Sequence, residues 1–481
     1  MATEVSRPRV LVLGGGISGL TAVWALTGGE TPDDTLEVCL IEAAPTFGGK
    51  IAATVIDGRS VDLGPDGFLA RRPEAVALAK HLGLTEQLRV PGTSGAGIFA
   101  RGKIRQMPAK LNLGIPTEWR ALAKSRVLGP WALLRAGIDI VAPRHDLRGK
   151  LGDRAIGPLI ERKLGRRVVE TLVDPMIGGI HAGRVADMSA AATFPPLLTA
   201  AGTSGSLMHA LRTSVPPSPA DGEPVAPVFN SLEGSVTSLI DRLVAVGQER
   251  GAELLTSTEA LHLRHDDAGW EITTSEGILR ADGIVLAVPT GPAAELVRSL
   301  DEEMADLLAT IDYASVGLVT FVLDEGVLPE GLFGTGMLVP SIARRSDGSA
   351  FLTTAVTYLT TKWPHLQRDG SVLVRVSTGR IDDVRFSDLD DEALIAQLTG
   401  ELEELFGVAI HPRATTVVRW MDGLPQYRVN HQLRVAGIES AADRLPNLVV
   451  AGAAYHGVGI PACIGAAASA ADLLRSKLLG D

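Results

Sequence analysis

The sequence predicts an α/β protein of more than one packed unit, and three stretches carry that reading. The segment "RVLVLGGGISG" passes from a short apolar run through a glycine turn into a helix, and a second strand, "LEVCLIE", lies beyond it. That succession is a βαβ unit. Helical patterning then dominates from about residue 116 to 173, as in "TEWRALAKSRVL" and "DRAIGPLIERKLG". Residues 314 to 378 instead hold β-rich runs such as "SVGLVTFVL" and "SVLVRVS". At 481 residues the chain is longer than one ordinary core organises, so two or three units share it.

The elements can be justified in chain order. Gly14-x-Gly16-x-x-Gly19 closes the first strand and opens a helix that runs to about Leu26. Gly14 permits the tight turn, Gly16 lets a pyrophosphate approach the backbone, and Gly19 allows close helix–strand packing. The amides at the helix start, around Gly15, Ile17 and Ser18, face the phosphate anion. Glu42 ends the second strand, where an acid accepts hydrogen bonds from an adenosine ribose and disfavours a 2′-phosphate. The stretch 215 to 227, "VPPSPADGEPVAP", reads as a loop, and a helix is expected from about 234 to 249. Short alternating strands ending in "GIVLAVP" follow. Beyond the β-rich region come a helix near 390 to 406, the strands "TTVVRW" and "NLVVAG", and a final helix.

Composition narrows the function classes. A net charge of −11 argues against nucleic acid as a partner. Residues 89 to 167 nevertheless carry 17 Lys and Arg against 5 Asp and Glu. Such a basic block in an acidic protein faces an anionic ligand, a partner or a membrane surface, or is simply a solvated helical face. Two cysteines, Cys39 and Cys463, make no disulfide framework and fit a reducing, cytoplasmic setting. No apolar run is long enough to span a membrane, and the N-terminus lacks a signal-peptide core. No metal site is expected.

After Glu42 and Ala43 the chain reads "APTFGGK", placing Gly48, Gly49 and Lys50 behind the acid. This resembles the acid-then-Gly-Gly-Arg/Lys pattern of the amine-oxidase-like FAD superfamily, with Lys50 in place of the commoner Arg. Three further motifs narrow the resemblance: "VDLGPDGFLARRP" at 61 to 73, "DPMIGGIHAG" at 174 to 183 and "GLPQYRVNH" at 423 to 431. With "GVGIPACI" at 457 to 464 they are similar to the oxygen-dependent porphyrinogen oxidases, nearest the bacterial coproporphyrinogen III oxidase type, over nearly the whole chain. The resemblance implies a discontinuous Rossmann-type FAD-binding domain, a mixed β-sheet substrate domain and an inserted α-helical domain. The corresponding boundaries are 1–88, 229–305 and 411–481 for the FAD parts, with a substrate-domain contribution from about 50. The basic helical part is 89–205, the Pro-rich loop 206–228 and the β-rich substrate part 306–410. In mitochondrial relatives the helical domain docks on the membrane. No comparable exposed apolar run stands in this sequence, so a soluble form is expected.

The resemblance also assigns roles. Gly14 to Gly19, Glu42, Ala43 and Lys50 match FAD contacts, and Gly64, Pro65, Asp66 and Gly67 match the loop beside the flavin. Ala260 matches a backbone contact to adenine; Trp420, Val458, Gly459 and Ile460 match contacts near the isoalloxazine, although from the residue alone Trp420 reads as a core tryptophan. Such enzymes remove six electrons and six protons from a colourless porphyrinogen in three flavin rounds, so the protein's task is to place a meso carbon near N5. Coproporphyrinogen III carries four propionates. Arg71 and Arg72 are the expected anchors, since guanidinium forks fix carboxylates better than Lys does; the alternative is exposed arginines before a Pro-initiated helix. Met176, Ile177 and Gly178 are expected against the macrocycle face, with core packing as the alternative for Met176. His181 reads as structural, with proton shuttling as the alternative. No second dinucleotide fingerprint lies between residues 50 and 450, so electrons are expected to leave to O2, giving hydrogen peroxide. Transient contact with the next haem-pathway enzyme is a further expectation.

Protoporphyrinogen IX is the alternative substrate. Another amine-oxidase-fold enzyme, or a non-catalytic porphyrin carrier, is the weaker reading. The G-x-G-x-x-A in "YHGVGIPACIGAA", residues 455 to 467, is no second nucleotide loop, because five residues separate it from the strand and no acid-bearing strand follows. It reads as a helix start, with Pro461 in the first turn, facing the flavin.

Overall fold

The computed structural model describes residues 7–141, 152–202, 205–213 and 227–480. Most of the predicted Pro-rich loop, 215 to 226, and part of the basic block, 142 to 151, lie outside the described residues.

The glycine turn belongs to a five-stranded sheet, all of whose pairings are parallel. Its order is Glu253–Leu255, Glu37–Ile41, Arg9–Leu13, Gly283–Leu286 and Leu448–Val450. Four of the five residues in each of Arg9–Leu13 and Glu37–Ile41 are buried, as a sheet covered on both faces requires. Helices Ile17–Leu26, Thr237–Glu249 and Ile460–Leu479 share one core through Leu20, Val23, Leu243 and Ala471. A three-stranded meander, Ala260–Asp266, Gly269–Thr274 and Gly277–Ala281, joins helices Thr290–Val297, Glu302–Ala309 and His431–Ala442 in a second core. Strands far apart in the chain thus build one sheet.

A seven-stranded mixed sheet stands beside it, in the order Ala414–Pro425, Tyr313–Asp324, Ser371–Thr378, Thr353–Tyr358, Gly336–Leu338, Gly97–Ala100 and Lys103–Gln106. Only the pairing of Gly336–Leu338 with Gly97–Ala100 is parallel. The hairpin 97–106, reckoned from sequence within the helical segment, therefore forms a sheet edge. The strand 414–425, reckoned with the nucleotide part, pairs with Tyr313–Asp324. Both assignments change because strand partners are chosen across the fold, whereas sequence boundaries follow local patterning.

Between these sheets and solvent lies a helical layer with its own core, including Leu122, Ala136, Ile160, Leu172 and Leu197. At its heart Val169–Gly178 is a π-helix carrying Pro175, a widened geometry that concentrates at functional sites. The layer also corrects one sequence expectation. Helix Pro130–Val141 exposes Trp131 (84%), Leu134 (62%), Ile138 (38%) and Val141 (81%). Their i, i+3, i+7, i+10 spacing makes an apolar stripe on one face with no contiguous run in the sequence. Among the described residues no helix is long and apolar enough to cross a membrane.

Candidate active site

The glycine turn shows which positions serve packing and which leave room. Gly14 has φ +106°, and a Cβ there would stand 2.8 Å from the Ala287 carbonyl oxygen. A Cβ on Gly19 would stand 1.8 Å from the Gly14 oxygen. Gly16 differs: nothing lies within 4 Å of where its Cβ would be. No side chain caps helix Ile17–Leu26, and no acid sits in its first turn. Open space above an uncapped helix start is a cradle for a phosphate anion.

Glu42 closes one end of that cradle. Its carboxylate accepts the Gly15 N–H at 2.7 Å and the Ala44 N–H at 2.8 Å, so both oxygens are held in place. The Thr258 N–H donates to the Glu42 carbonyl and the Ser257 N–H to the Ala44 carbonyl, both at 2.9 Å. This brings Ala260, the first residue of its strand, to the same rim as Ala43.

At the other end Gly48 donates to the Gly15 carbonyl at 2.9 Å, and a Cβ on Gly49 would face the Gly16 Cα at 3.6 Å. Burial lowers the pKa of the half-buried Lys50, while Asp422 favours its charge. Gly64 packs so closely on the Lys50 carbonyl that a Cβ would come within 2.0 Å. Trp420 donates its indole N–H to the Leu63 carbonyl at 2.7 Å, tying the loop 62–67 to the large sheet.

The C-terminal helix completes the ring. Helix Ile460–Leu479 has Gly459 as an uncapped N-cap and Pro461 in its first turn. Gly457 donates to the Tyr427 hydroxyl at 2.8 Å, and that hydroxyl donates to the Ala453 carbonyl at 2.6 Å, fixing the segment before Val458. The Cys463 thiol lies between the two helix starts, with Ser18, Lys50 and Arg72 around it. Burial pushes this thiol up to about 11, which keeps it protonated and unreactive near neutral pH. Two uncapped helix N-termini and two cations therefore meet in one place. This donor set fits the pyrophosphate and polar ring edge of a dinucleotide flavin.

Other sequence-predicted residues take different positions. The Asp66 carboxylate is turned into the sheet, onto Lys362, Trp363 and Arg375, so the loop offers a ligand its backbone there. Arg72 is half-exposed and bonds Glu74 at 2.7 Å. Arg71 is exposed. Met176 is half-buried against Gly114, and Gly178 packs on the Gly183 carbonyl. Ile177 is only 1% exposed and belongs to the helical core, contrary to its expected place against a ligand. Its apolar side chain is taken up by that core, and the exposed residues lie just beyond the π-helix, at Gly179 and Ile180, the latter at 50%.

His181 follows, its ring 6.2 Å from Tyr427 and its pKa lowered to about 4 by burial, which keeps it neutral. Gln426 donates to the His181 carbonyl at 2.8 Å, and His431 stacks on Tyr427 at 3.8 Å. Sequence reasoning quoted "GLPQYRVNH" but drew no role for Gln426, Tyr427 or His431 from it. Nor did it find the groove of about 510 Å³ between the helical layer and the sheet edge, walled by Arg101, Arg167, Arg344 and Trp131. The density of cations in the basic block was the available signal. Among the described residues no group of His, Cys, Asp and Glu is placed to hold a metal ion.

The site and the fold define a class. A family model described as flavin containing amine oxidoreductase matches residues 17–475, and the chain belongs to that family. It is a flavin-dependent oxidoreductase. Within the family it is similar to proteins named coproporphyrinogen III oxidase. The one from Mycobacterium leprae is 32% identical over 470 residues, covering 97% of this chain and 98% of that protein. The one from Bacillus subtilis is 29% identical, covering 95% and 96%. A crystal structure from Exiguobacterium sp. 255-15 matches with a TM-score of 0.86 at 29% identity, covering 99% of this chain and all of that one.

Proposed function

We propose that this chain is an FAD-dependent oxidase that converts coproporphyrinogen III to coproporphyrin III in haem biosynthesis, with O2 as the electron acceptor and hydrogen peroxide as the by-product. The observation that carries the reading is the similarity, over nearly the full length of both chains, to proteins bearing that name. The convergence of Gly14–Gly19, Lys50 and Gly457–Ile460 supports the cofactor half of it. The proposed organisation is a nucleotide domain split along the chain, with the seven-stranded sheet and the helical layer flanking the substrate.

When bound, FAD supplies a two-electron acceptor at N5. The rest of the work falls to this chain. The amides from Gly16 to Gly19 would hold the pyrophosphate, and Glu42, already oriented by the Gly15 and Ala44 N–H groups, would accept from the ribose hydroxyls. The segment 257–260, tied to Glu42 and Ala44, would border the adenine. The uncapped helix start at Val458 to Ile460 would offer its positive end to the flavin ring and favour negative charge there. Arg71 and Arg72 anchor propionates, Met176 and Ile180 offer apolar contact, and neutral His181 has proton-accepting capacity nearby. Arginines lining the groove between helices and sheet extend the cationic rim. The basic surface aids capture of the anionic substrate or docking of the next haem-pathway enzyme in the cytoplasm. A capture rate independent of salt would contradict that role.

Protoporphyrinogen IX, with two propionates, is the second reading. Purified protein with FAD should form coproporphyrin from coproporphyrinogen III in air, followed by fluorescence and peroxide, and act more slowly on protoporphyrinogen. Porphyrin formation at the uncatalysed rate would overturn the proposal.

A further inference from the structure

Beneath the loop 62–67 lies a charge cluster of Arg375, Lys362 and Asp66, of which the sequence motifs single out only Asp66. Arg375 stands on the strand Ser371–Thr378, in the interior of the seven-stranded sheet, opposite Thr320 on one side and Thr357 on the other. It is 7% exposed. One arm of its guanidinium donates to the Gly64 carbonyl at 3.1 Å and the Asp62 carbonyl at 3.3 Å. The other arm pairs with the Asp66 carboxylate at 3.2 Å. A single planar fork thus grips three successive even-numbered residues of the loop.

The cluster is buried and charged, so its geometry is closely specified. Lys362 contacts both oxygens of Asp66, at 3.0 and 2.9 Å, and Trp363 donates its indole N–H to the same carboxylate at 3.0 Å. Burial alone would raise the Asp66 pKa, but Arg375 and Lys362 hold the carboxyl well below the usual range. Trp420 adds its bond to the Leu63 carbonyl. The same loop packs through Gly64 on Lys50, and Gly48, two residues before Lys50, bonds to Gly15 of the glycine turn. An unbroken chain of contacts therefore runs from the interior of the large sheet to the nucleotide cradle.

We infer that Arg375 is a positioning residue that sets the loop 62–67 as the seat of the flavin ring, fixing the ring relative to the sheet that would flank the substrate. The inference rests on the flavin-site reading above. Lys362 and Trp363 neutralise and orient Asp66; only Arg375 joins that carboxylate to the loop's own carbonyls. A lysine at 375 would keep the charge but has no fork with which to hold all three groups at once.

The test uses the full-length protein loaded with FAD and compares Arg375→Lys, Arg375→Gln and Lys362→Met. The two Arg375 variants should bind FAD at least tenfold more weakly than wild type. Their visible flavin band should lose fine structure toward that of free flavin, and kcat should fall at least tenfold with KM within twofold. Lys362→Met, which leaves the carbonyl contacts intact, should keep the wild-type flavin band. If Arg375→Lys does not give a cooperative melt, Arg375→Gln, which removes the charge but retains amide donors, carries the comparison. A folded Arg375 variant with wild-type flavin affinity, spectrum and kcat would overturn the inference. The flavin measurements need no porphyrinogen, so a wrong substrate assignment leaves them interpretable.

Discussion

The glycine turn permits a test in which ligand binding and folding come apart. At Gly16 an added methyl meets nothing within 4 Å, and the residue sits at φ −75°, open to any L-amino acid. Gly16→Ala should therefore leave the flavin-free protein as stable as wild type, or more stable by about 0.4–1 kcal/mol through a stiffer unfolded chain. Its methyl, however, would occupy the path of the pyrophosphate. A tenfold weaker FAD affinity, about 1.4 kcal/mol, is the minimum expected. At a FAD concentration of about 100 times the wild-type Kd, ligand stabilisation should drop from about 2.7 to about 1.4 kcal/mol. Gly19→Ala should behave oppositely, since its methyl would stand 1.8 Å from the Gly14 oxygen. The backbone must shift, which costs about 1–3 kcal/mol or more in the flavin-free protein. Thermal unfolding with and without FAD, together with a flavin titration by fluorescence quenching, separates the two effects. Wild-type FAD affinity in a folded Gly16→Ala variant would refute the assignment of this turn.

Three other outcomes follow from the geometry. Burial, with Asp66 adding to it, pushes the Asp62 carboxyl up to about 6, while Ser235 and the Val236 N–H, each bonded to it, pull the other way. Because its folded pKa is raised, its favourable contribution is complete below about pH 4 and lost as pH rises through 6. Asp62→Asn should then gain about 1–3 kcal/mol over wild type above pH 6 and nothing near pH 4; a gap that ignores pH would count against this. Arg71→Ala should raise KM for coproporphyrinogen more than Arg72→Ala, since Arg72 is already committed to Glu74; unchanged KM in both would remove them from the substrate site. Cys463→Ser should keep kcat within about twofold, because a thiol held protonated takes no part in the chemistry; a tenfold loss would contradict that.

The parts legible in the sequence were those whose causes are local. Strand, glycine turn, helix and acid lie within one βαβ unit, so Gly14–Gly19 and Glu42 could be read from spacing alone. Pro461 and the uncapped Gly459 marked the second helix start in the same way. What escaped was set across the fold. Asp66 looked like a cofactor contact because Lys362, Trp363 and Arg375, some 300 residues on, are invisible from its own motif. Ile177 sits in the helical core and Ile180 is exposed, a distinction made by packing across the helical layer rather than by the motif itself. The apolar stripe of helix Pro130–Val141 was missed for another reason: the helical period scatters Trp131, Leu134, Ile138 and Val141 among other residues.

Oxidation of a four-propionate porphyrinogen at this flavin site is the proposal most open to test. The most direct measurement follows porphyrin fluorescence and peroxide when FAD-loaded protein meets coproporphyrinogen III or protoporphyrinogen IX in air. Coproporphyrin with about three peroxides per porphyrin is expected, with a higher kcat/KM for coproporphyrinogen than for protoporphyrinogen. Flavin that stays oxidised when coproporphyrinogen is added without oxygen, with no porphyrin above the uncatalysed rate in air, would contradict it.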